Sequence, residues 1–261
     1  MVSRATPRKN NVALVTGAAR RLGRAIALAL AEDGWDIAVH YSTSADDASA
    51  TVADIERIGR RAVALNSDLA QERPARALMA RAARALGPVV CLVNNASQFE
   101  FDEATAFNAP LFHRLMQVNS AAPIVLAQAL HAALPAATQG VVINLLDQKL
   151  FNPNPDFLSY TLSKSALREA TTLLAQALAP RVRVVGIAPG VTMPSTQQTP
   201  QGFARAHKRT ALGRSSTPAD IAAAAVYLAR AAAVTGTVLL VDGGQHLVPS
   251  ARDVMFLTER R

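Results

Sequence analysis

The sequence predicts a doubly wound parallel α/β sheet of about seven strands with helices on both faces. Short apolar runs alternate along the chain with longer segments rich in Ala and Leu, and this alternation is typical of β-α-β units. The runs are apolar throughout rather than at every second residue, which indicates strands that are covered on both faces. The chain of 261 residues is half hydrophobic and contains no evident linker, so we expect a single domain.

The alternation assigns each element in turn. The predicted strands cover residues 11–16, 36–41, 62–66, 89–94, 140–145, 182–187 and 237–241. The predicted helices cover residues 22–32, 45–58, 73–86, 110–134, 159–178 and 218–230, because these segments are long and rich in helix-forming residues. Ligands of such sheets bind beyond the carboxyl ends of the strands, so the residues after each strand are the candidates for a site.

Composition limits the classes of function. The net charge is +8, but the arginines are scattered and no aromatic residues are interleaved with them, which argues against nucleic-acid binding. A basic surface instead favours a phosphate-rich cofactor or an anionic substrate. The single cysteine, Cys91, cannot form an internal disulfide and suits a reducing cytosol. No metal site is predicted.

The chain shows no sign of export or of a membrane anchor. Residues 1–11 are polar and basic without the apolar centre of a signal peptide, and we expect them to form a flexible tail ahead of a domain at 12–261. The longest apolar stretch, 221–234, is short for a membrane span and is interrupted by Arg230. These features predict a cytoplasmic protein.

The turn after the first predicted strand reads Thr16-Gly-Ala-Ala-Arg-Arg-Leu-Gly-Arg. Gly17 and Gly23 allow the backbone to approach a pyrophosphate, and the helix that follows offers unpaired N–H groups and the positive end of its dipole. Because the turn follows a strand and opens a helix, it predicts a dinucleotide site of the Rossmann type. Arg21 stands where a third glycine is common, so this turn is cationic.

The end of the second strand indicates which dinucleotide binds. It reads His40-Tyr41-Ser42-Thr43-Ser44, with no acid where an NAD site would bind the ribose 2′-hydroxyl. With Arg20 or Arg21 opposite these hydroxyl groups, the site is better matched to NADPH. Asp68, after the third strand, either accepts a hydrogen bond from the adenine amino group or caps the next helix.

A carboxylate precedes a Tyr-x-x-x-Lys pair after the fifth strand. The residues are Asp147, Tyr160 and Lys164, and the four-residue step places the phenol and the ammonium on one helical face. There the positive charge is predicted to favour the phenolate and to lower the tyrosine pKa from about 10. Tyr160 would then be a usable proton donor near neutral pH.

These motifs resemble those of the short-chain dehydrogenase/reductase family over nearly the whole chain. The family pattern is carried by the glycine turn, Asn94-Asn-Ala-Ser, Asn119, Tyr160-x-x-x-Lys164 and Pro189-Gly190, in that order. A narrower similarity, to pteridine reductases and to the related dihydromonapterin- and dihydrofolate-reducing members, is carried by the cationic turn, His40-Tyr41, Asn94-Asn-Ala-Ser-Gln-Phe and the position of Asp147.

The resemblance implies roles for the site residues. Tyr160 would deliver the proton, Lys164 would hold the nicotinamide ribose, and Asn119 would anchor a water relay behind the lysine. Phe99 and the nicotinamide would enclose a pterin, with Ser97 and Arg21 on the pterin or the cofactor phosphates, although Phe99 could equally be a loop residue packed into the core. The predicted cofactor site comprises Gly17, Arg20, Arg21, Leu22, Gly23, His40, Tyr41, Ser42, Asp68, Leu69, Asn95, Ala96, Ser97, Lys164, Pro189 and Gly190.

Asp147 stands where most family members place a serine, and it favours one kind of substrate. An ionised carboxylate opposes the negative charge that develops on a ketone oxygen, whereas reduction of a C=N bond needs a proton that a carboxyl group beside a tyrosine can relay. Pterins offer such a bond and N–H groups for the carboxylate. Two alternatives stay open: a buried, protonated Asp147 would mimic serine, or the residue only caps a loop.

We therefore predict an NADPH-dependent reductase of a pterin or dihydropterin. The alternatives are a reductase of another carbonyl or imine, such as a ketone or 3-oxoacyl group, and a non-catalytic NADPH-binding regulator. The resemblance to pteridine reductases implies an arginine for the 2′-phosphate at position 43, but this chain has Thr43. Selectivity for NADPH therefore rests on Arg20 and Arg21. Residues 191–213 are predicted to form a mobile substrate lid, and the family resemblance implies a homotetramer through helices 110–134 and 159–178.

Overall fold

The computed structural model describes residues 11–195 and 198–258, which contain a seven-stranded, entirely parallel sheet with helices on both faces. The strands are β1 (Val12–Val15), β2 (Asp36–Tyr41), β3 (Ala62–Asn66), β4 (Val89–Asn94), β5 (Gly140–Leu145), β6 (Val182–Pro189) and β7 (Val238–Val241). Their order across the sheet is β3-β2-β1-β4-β5-β6-β7. The predicted fold class is confirmed, while the proposed tail lies outside the described residues except for Asn11.

The helices cover both faces of the sheet. They are α1 (Arg21–Glu32), α2 (Ala45–Arg57), α3 (Glu72–Leu86), α4 (Ala109–Met116), α5 (Ala122–Ala133), α6 (Leu158–Leu178), α7 (Pro200–Lys208), α8 (Pro218–Arg230) and α9 (Val254–Thr258). Most predicted bounds agree to within a residue or two. The helices α7 and α9 were not predicted, because α7 lies within the expected lid and α9 is only 5 residues long.

The predicted single helix at 110–134 is wrong in one respect. A π-helical turn, Gln117–Ala121, separates α4 from α5. Pro123 lies in the first turn of α5 and has no N–H to donate to the carbonyl of Asn119, which is a physical reason for the wider turn. Such turns are frequent at functional sites, and this one carries Asn119.

Both faces of the sheet are buried, as the continuously apolar strands predict. Along β1, Ala13 and Val15 face a core formed with α1, α2 and α8, and Val12 and Leu14 face a second core formed with α3 and α5. All four residues have no solvent exposure. The strand order reverses at β1, which lies between β2 and β4. The helices that follow β1 and those that flank β4 therefore lie on opposite faces of the sheet, and a crevice opens between them beyond the carboxyl ends of β1 and β4.

Two further features concern the described ranges 11–195 and 198–258. The helices found there lack the combination of length and apolar character that crossing a membrane requires. Within the same ranges, His, Cys, Asp and Glu side chains do not gather in groups of three that could hold a metal ion. Cys91 is fully buried in the core, as its apolar surroundings in the sequence indicate.

Candidate active site

Close backbone approach shapes the glycine turn between β1 and α1. Gly17 adopts a φ of +62°, which favours glycine. A Cβ on Gly23 would lie 2.2 Å from the carbonyl oxygen of Gly17 and 2.5 Å from the amide nitrogen of the Asn95 side chain. Only a glycine fits at position 23, so the start of α1 can press against the turn.

The ends of β1 and β4 are joined by a small hydrogen-bond network. The Thr16 hydroxyl accepts from the backbone N–H groups of Asn95 at 2.9 Å and Ala96 at 3.0 Å, and it donates to the Val93 carbonyl. The Asn95 side chain donates to the Thr16 carbonyl at 2.8 Å. These contacts fix the floor of the crevice on which a cofactor would lie.

His40 braces the same turn from β2. The backbone N–H of Gly17 donates to Nδ1 of His40 at 3.1 Å, so the ring proton resides on Nε2, which faces the Ser67 carbonyl at 3.1 Å. Burial lowers the pKa of His40 to about 4, and the ring is therefore neutral near neutral pH. His40 was predicted to bind the cofactor, and although it lines the crevice, both of its nitrogens are engaged by the protein.

The crevice is a cavity of about 390 Å³. Its wall includes thirteen of the predicted cofactor residues, namely Gly17, Arg20, Arg21, Leu22, Gly23, His40, Tyr41, Ser42, Asp68, Leu69, Asn95, Ala96 and Ser97. Thr43 and Ser44 add hydroxyl groups at the end of β2. Two arginines and a row of hydroxyls beside an acid-free strand end fit a dinucleotide that carries an additional phosphate.

Two residues of this wall have unexpected local geometry. Asp68 does not cap α3, whose N-cap is Gln71; its carboxylate instead accepts from the backbone of Ala70 at 2.9 Å and from the side chain of Gln71 at 3.0 Å. Arg21 adopts a φ of +53°, the left-handed conformation that explains why glycine is common there. Its guanidinium donates to the Pro194 carbonyl at 2.8 Å and so reaches across to the expected lid.

Asp147 and Tyr160 are hydrogen-bonded to each other. The Tyr160 hydroxyl donates to Oδ2 of Asp147 at 2.8 Å, and Oδ1 of Asp147 accepts from the backbone N–H of Lys149 at 2.8 Å. The second contact caps a short 3₁₀ turn, Gln148–Phe151. Asp147 is therefore both the loop cap and the partner of the tyrosine, which were alternatives in the sequence.

The protonation of this pair differs from the prediction. Burial raises the pKa of Asp147, and hydrogen bonds from Lys149 and Tyr160 oppose this rise only in part. Burial and then the Asp147 charge raise the pKa of Tyr160 well above 10. The prediction that Lys164 lowers the tyrosine pKa is wrong for this arrangement, because the carboxylate lies against the phenol and Nζ of Lys164 donates to the Leu145 carbonyl at 2.8 Å. Burial also lowers the pKa of Lys164 to about 8.

Asn119 organises the loop after β4 from within the π-helical turn. Its side-chain oxygen accepts from the backbone N–H of Gln98 at 2.9 Å, and its side-chain nitrogen donates to the Gln98 carbonyl at 2.9 Å. The same nitrogen donates to the Ser163 hydroxyl at 3.0 Å. Asn119 and Lys164 are fully enclosed and lie outside the walls of both cavities, so a water relay between them stays a prediction.

A second cavity of about 350 Å³ adjoins the first. Its wall brings together all five predicted substrate residues, which are Arg21, Ser97, Phe99, Asp147 and Tyr160, together with Pro189 and Gly190. Arg21, Leu22 and Ser97 belong to the walls of both cavities. Pro189 and Gly190, predicted for the cofactor site, thus lie on the substrate side of the shared boundary.

Phe99 is a wall residue rather than a core residue. Its ring is 45% exposed and stacks on Phe157 with a centroid distance of 4.2 Å. It meets the ring of Tyr160 edge to face at 4.7 Å. The aromatic ring thus offers a partly open face beside the proton-carrying pair, where a flat heterocycle could stack.

The second cavity also contains residues that the sequence did not reveal. These are Lys149, Gln245, Asp253 and Met255, among others, while Met193 and Gln198 come from the segment expected to form the lid. Asp253 and Met255 belong to the C-terminal segment, which folds back over the loop before α6. No motif marks them, and only the presence of unassigned charged residues, such as Lys149 close to Asp147, could have drawn attention to this region.

The segment predicted as a lid, 191–213, contains α7, while residues 196 and 197 lie outside the described part of the chain. Ring nitrogen Nδ1 of His207 lies 3.0 Å from the Val191 carbonyl, so α7 is tied to the chain that leaves β6. Movement of this segment over the substrate stays a prediction.

Residues 11–202 match the sequence profile of short chain dehydrogenases, and the chain belongs to that family. It is similar to two solved structures of FolM alternative dihydrofolate reductase 1 with NADP. The one from Brucella canis is 40% identical, covers 91% of this chain and 95% of its own, and has a TM-score of 0.86. The one from Brucella suis is 39% identical, covers 94% and 98%, and has a TM-score of 0.86.

A further solved relative acts on a carbonyl according to its name. The angucycline C-6 ketoreductase LanV with bound NADP is 31% identical, covers 91% of this chain and 96% of its own, and has a TM-score of 0.84. The protein is therefore an oxidoreductase of the short-chain family, and its relatives include enzymes named for different substrates.

Proposed function

We propose that this protein is an NADPH-dependent reductase of a C=N bond in a pterin or dihydropterin. The observation that carries the proposal is the 2.8 Å hydrogen bond between Tyr160 and a partly buried Asp147, in a cavity that also holds the half-exposed ring of Phe99. The similarity to the two Brucella dihydrofolate reductases supports it.

The cofactor assignment rests on the first cavity and on the NADP named in the related structures. Arg20 and the hydroxyl groups of Ser42, Thr43 and Ser44 would hold the 2′-phosphate, and the glycine turn would hold the pyrophosphate. When bound, NADPH supplies the hydride that the reduction consumes. Gly190 cannot carry a larger side chain, since a Cβ there would lie 2.4 Å from the Ser215 hydroxyl.

The protein's own part in the chemistry is to hold and deliver a proton. Because burial raises the pKa of Asp147, its carboxyl group retains a proton at a higher pH than an ordinary aspartate does. Asp147 and Tyr160 can therefore share one transferable proton, which the tyrosine hydroxyl donates to the ring nitrogen. The carboxylate left behind carries its charge beside an N–H group instead of beside a developing alkoxide.

The test is a panel that follows NADPH oxidation with biopterin, dihydrobiopterin, dihydrofolate and several ketones. We expect turnover with at least one reduced or oxidised pterin and weaker turnover with the ketones. Tyr160→Phe serves as the control for background oxidation. Turnover of ketones alone would contradict the proposal, and a failure to oxidise NADPH with any substrate of the panel would favour the non-catalytic regulator.

Reduction of a carbonyl is the second candidate, and one observation favours it. A protonated Asp147 can donate a hydrogen bond to a carbonyl oxygen as serine does, and the ketoreductase LanV is a relative. Asp147→Ser separates the two candidates. Loss of pterin reduction with retained or increased ketone reduction supports the first candidate, while pterin reduction at an unchanged rate refutes our reason for preferring a pterin.

We further propose that the protein is a cytoplasmic homotetramer. The long helices carry exposed apolar side chains, with Leu173 of α6 62% exposed, Leu162 44% and Ile124 of α5 39%. Groups of exposed leucines on long helices are surfaces that subunit contacts would cover. Light scattering coupled to gel filtration measures the mass directly, and a monomer at micromolar concentration would contradict the assignment.

A further inference from the structure

A buried lysine forms part of the wall of the substrate cavity. Lys149 is only 3% exposed, and a buried ammonium requires partners. Its Nζ donates to Oδ1 of Asn154 and lies 3.4 Å from Oδ2 of Asp253. Its backbone N–H donates to Oδ1 of Asp147. Lys149 therefore connects the loop that carries Asp147 to a second carboxylate, from the C-terminal segment.

The C-terminal segment holds Asp253 in a fixed place. Its backbone N–H donates to Oδ2 of Asp156 at 2.6 Å, and Arg252 Nε donates to both oxygens of the same carboxylate at 2.9 Å. Three residues further along the chain, the Phe256 ring packs against the Phe157 ring at a centroid distance of 5.9 Å. Asp253 is thus anchored on both sides in the chain.

The carboxylate of Asp253 keeps hydrogen-bonding capacity. Oδ1 accepts from the backbone N–H of Met255 at 3.1 Å, and within ranges 11–195 and 198–258 the contact found for Oδ2 is that with Lys149 at 3.4 Å. An ionised carboxylate has about four acceptor sites, and this side chain is 20% exposed in the wall of the substrate cavity. Lone pairs on it remain open to a ligand.

Asp253 interacts electrostatically with Asp147 and Tyr160. Its charge contributes to the raised pKa of Asp147 and, after larger effects of burial and of Asp147, to that of Tyr160. Gln148, next to Asp147 in the cavity wall, has a buried Oε1 with no hydrogen-bond partner among the described residues. The cavity therefore contains an excess of acceptors, which a ligand with several N–H groups would satisfy.

We propose that Asp253 is a specificity-determining residue that accepts a hydrogen bond from an amino or ring N–H group of the substrate, at a position other than the reacting nitrogen. The inference rests on the proposed function and narrows it to heterocycles with a second donor edge, such as an aminopyrimidine ring. Lys149 acts through Asp253 as a positioning residue, since it holds the carboxylate but keeps its own charge buried.

The test compares two ligands that differ at the donor edge. Pterin has an exocyclic amino group where lumazine has a carbonyl oxygen. Binding of each to the NADP⁺-loaded protein is measured by calorimetry. The wild type should bind pterin more tightly by about tenfold or more, the range of a hydrogen bond to a charged group. Asp253→Asn should reduce this preference to threefold or less, mainly by weakening pterin.

Controls separate a specific role from a structural one. Glu56→Gln removes an exposed carboxylate on α2 and should leave the preference unchanged. Arg252→Gln loosens the anchor without removing the Asp253 carboxylate, and it should reduce the preference less than Asp253→Asn does. In turnover, Asp253→Asn should raise KM for the pterin more than it lowers kcat, whereas a general disturbance of the fold would weaken both ligands alike and lower the melting temperature.

The outcomes distinguish this inference from the proposed function. A wild type that reduces pterins, with a ligand preference that Asp253→Asn leaves intact, overturns the inference alone. A wild type that binds pterin over lumazine but oxidises no NADPH with any pterin overturns the proposed function and leaves the binding role standing. A wild type with no preference between the ligands overturns the inference whatever its turnover.

Discussion

The two cavities are built in different ways. The first is lined almost entirely by residues 17–118, at the strand ends around the crevice, and it depends on close backbone contacts such as that between Gly17 and Gly23. The second draws on stretches that are far apart in the chain, from Arg21 to Met255. The dinucleotide site is thus built from one continuous part of the chain, whereas the candidate substrate site needs the completed fold.

The largest effect should come from the second cavity. Tyr160→Phe removes the hydroxyl that donates to Asp147 at 2.8 Å but leaves the first cavity unchanged, and general acid catalysis typically contributes about 10²- to 10⁴-fold. We expect turnover to fall by that amount while NADPH fluorescence reports unchanged binding. Equal loss of binding would show that the two cavities are not separable in this way.

Binding in the first cavity should be weakened most by displacing its backbone. Gly23→Ala places a Cβ 2.2 Å from the Gly17 carbonyl, so the turn must move away from α1, and NADPH affinity should fall by at least about tenfold because the pyrophosphate contacts are displaced. Titration of NADPH fluorescence measures this change. Gly34→Ala is a matched control for glycine replacement, since no atom lies within 4 Å of its added Cβ, although its φ of +96° adds local strain.

A change of pH tests the carboxyl group directly. In the proposed reduction Asp147 must hold its proton, and since burial raises its pKa, turnover should fall as the pH rises through that raised value. Asp147→Asn cannot titrate, so this fall should disappear and the rate at low pH should drop by about tenfold or more. A pH profile of kcat/KM that retains its alkaline fall in Asp147→Asn would assign the fall to another group.

A further effect, on stability instead of activity, is expected from the first cavity. The pKa of His40 is about 4 in the folded protein against about 6.5 in an unfolded chain. Between these values the unfolded state binds a proton that the folded state excludes, so stability is full above pH 6.5 and falls as the pH drops toward 4. The integrated loss is about 3 kcal/mol, and urea unfolding midpoints along a pH series measure it. His40→Gln should flatten that slope without affecting Asp147 and Tyr160.

The contrast between the cavities also explains what could be predicted from the sequence. The strand-helix alternation, the glycine turn and the acid-free end of β2 are local patterns, and they identified the fold and thirteen residues of the first cavity. Tyr160 was found because its four-residue spacing from Lys164 is a recognisable helical pattern, and Asp147 because it precedes that pair where a serine is usual. The protonation of Asp147 and Tyr160 was not found, because the pKa depends on burial and on a hydroxyl-carboxylate contact that spacing does not determine.

Asp253 and Lys149 could not be found by reading along the chain. They are separated by 104 positions, and they meet only because β7 returns the chain to the edge of the sheet beside β6. The π-helical turn at Asn119 differs in this respect, because Pro123 was a readable signal that a regular helix would be disturbed.

Arg21, Leu22 and Ser97 face both cavities, and Arg21 also reaches Pro194. Two ligands that share a boundary must report on each other: if the occupant of one side changes the conformation of Arg21 in favour of the other, the second ligand strengthens the first by the same factor. This coupling is the same whichever ligand binds first. A few shared side chains would thereby couple the binding free energies of two sites that are built independently.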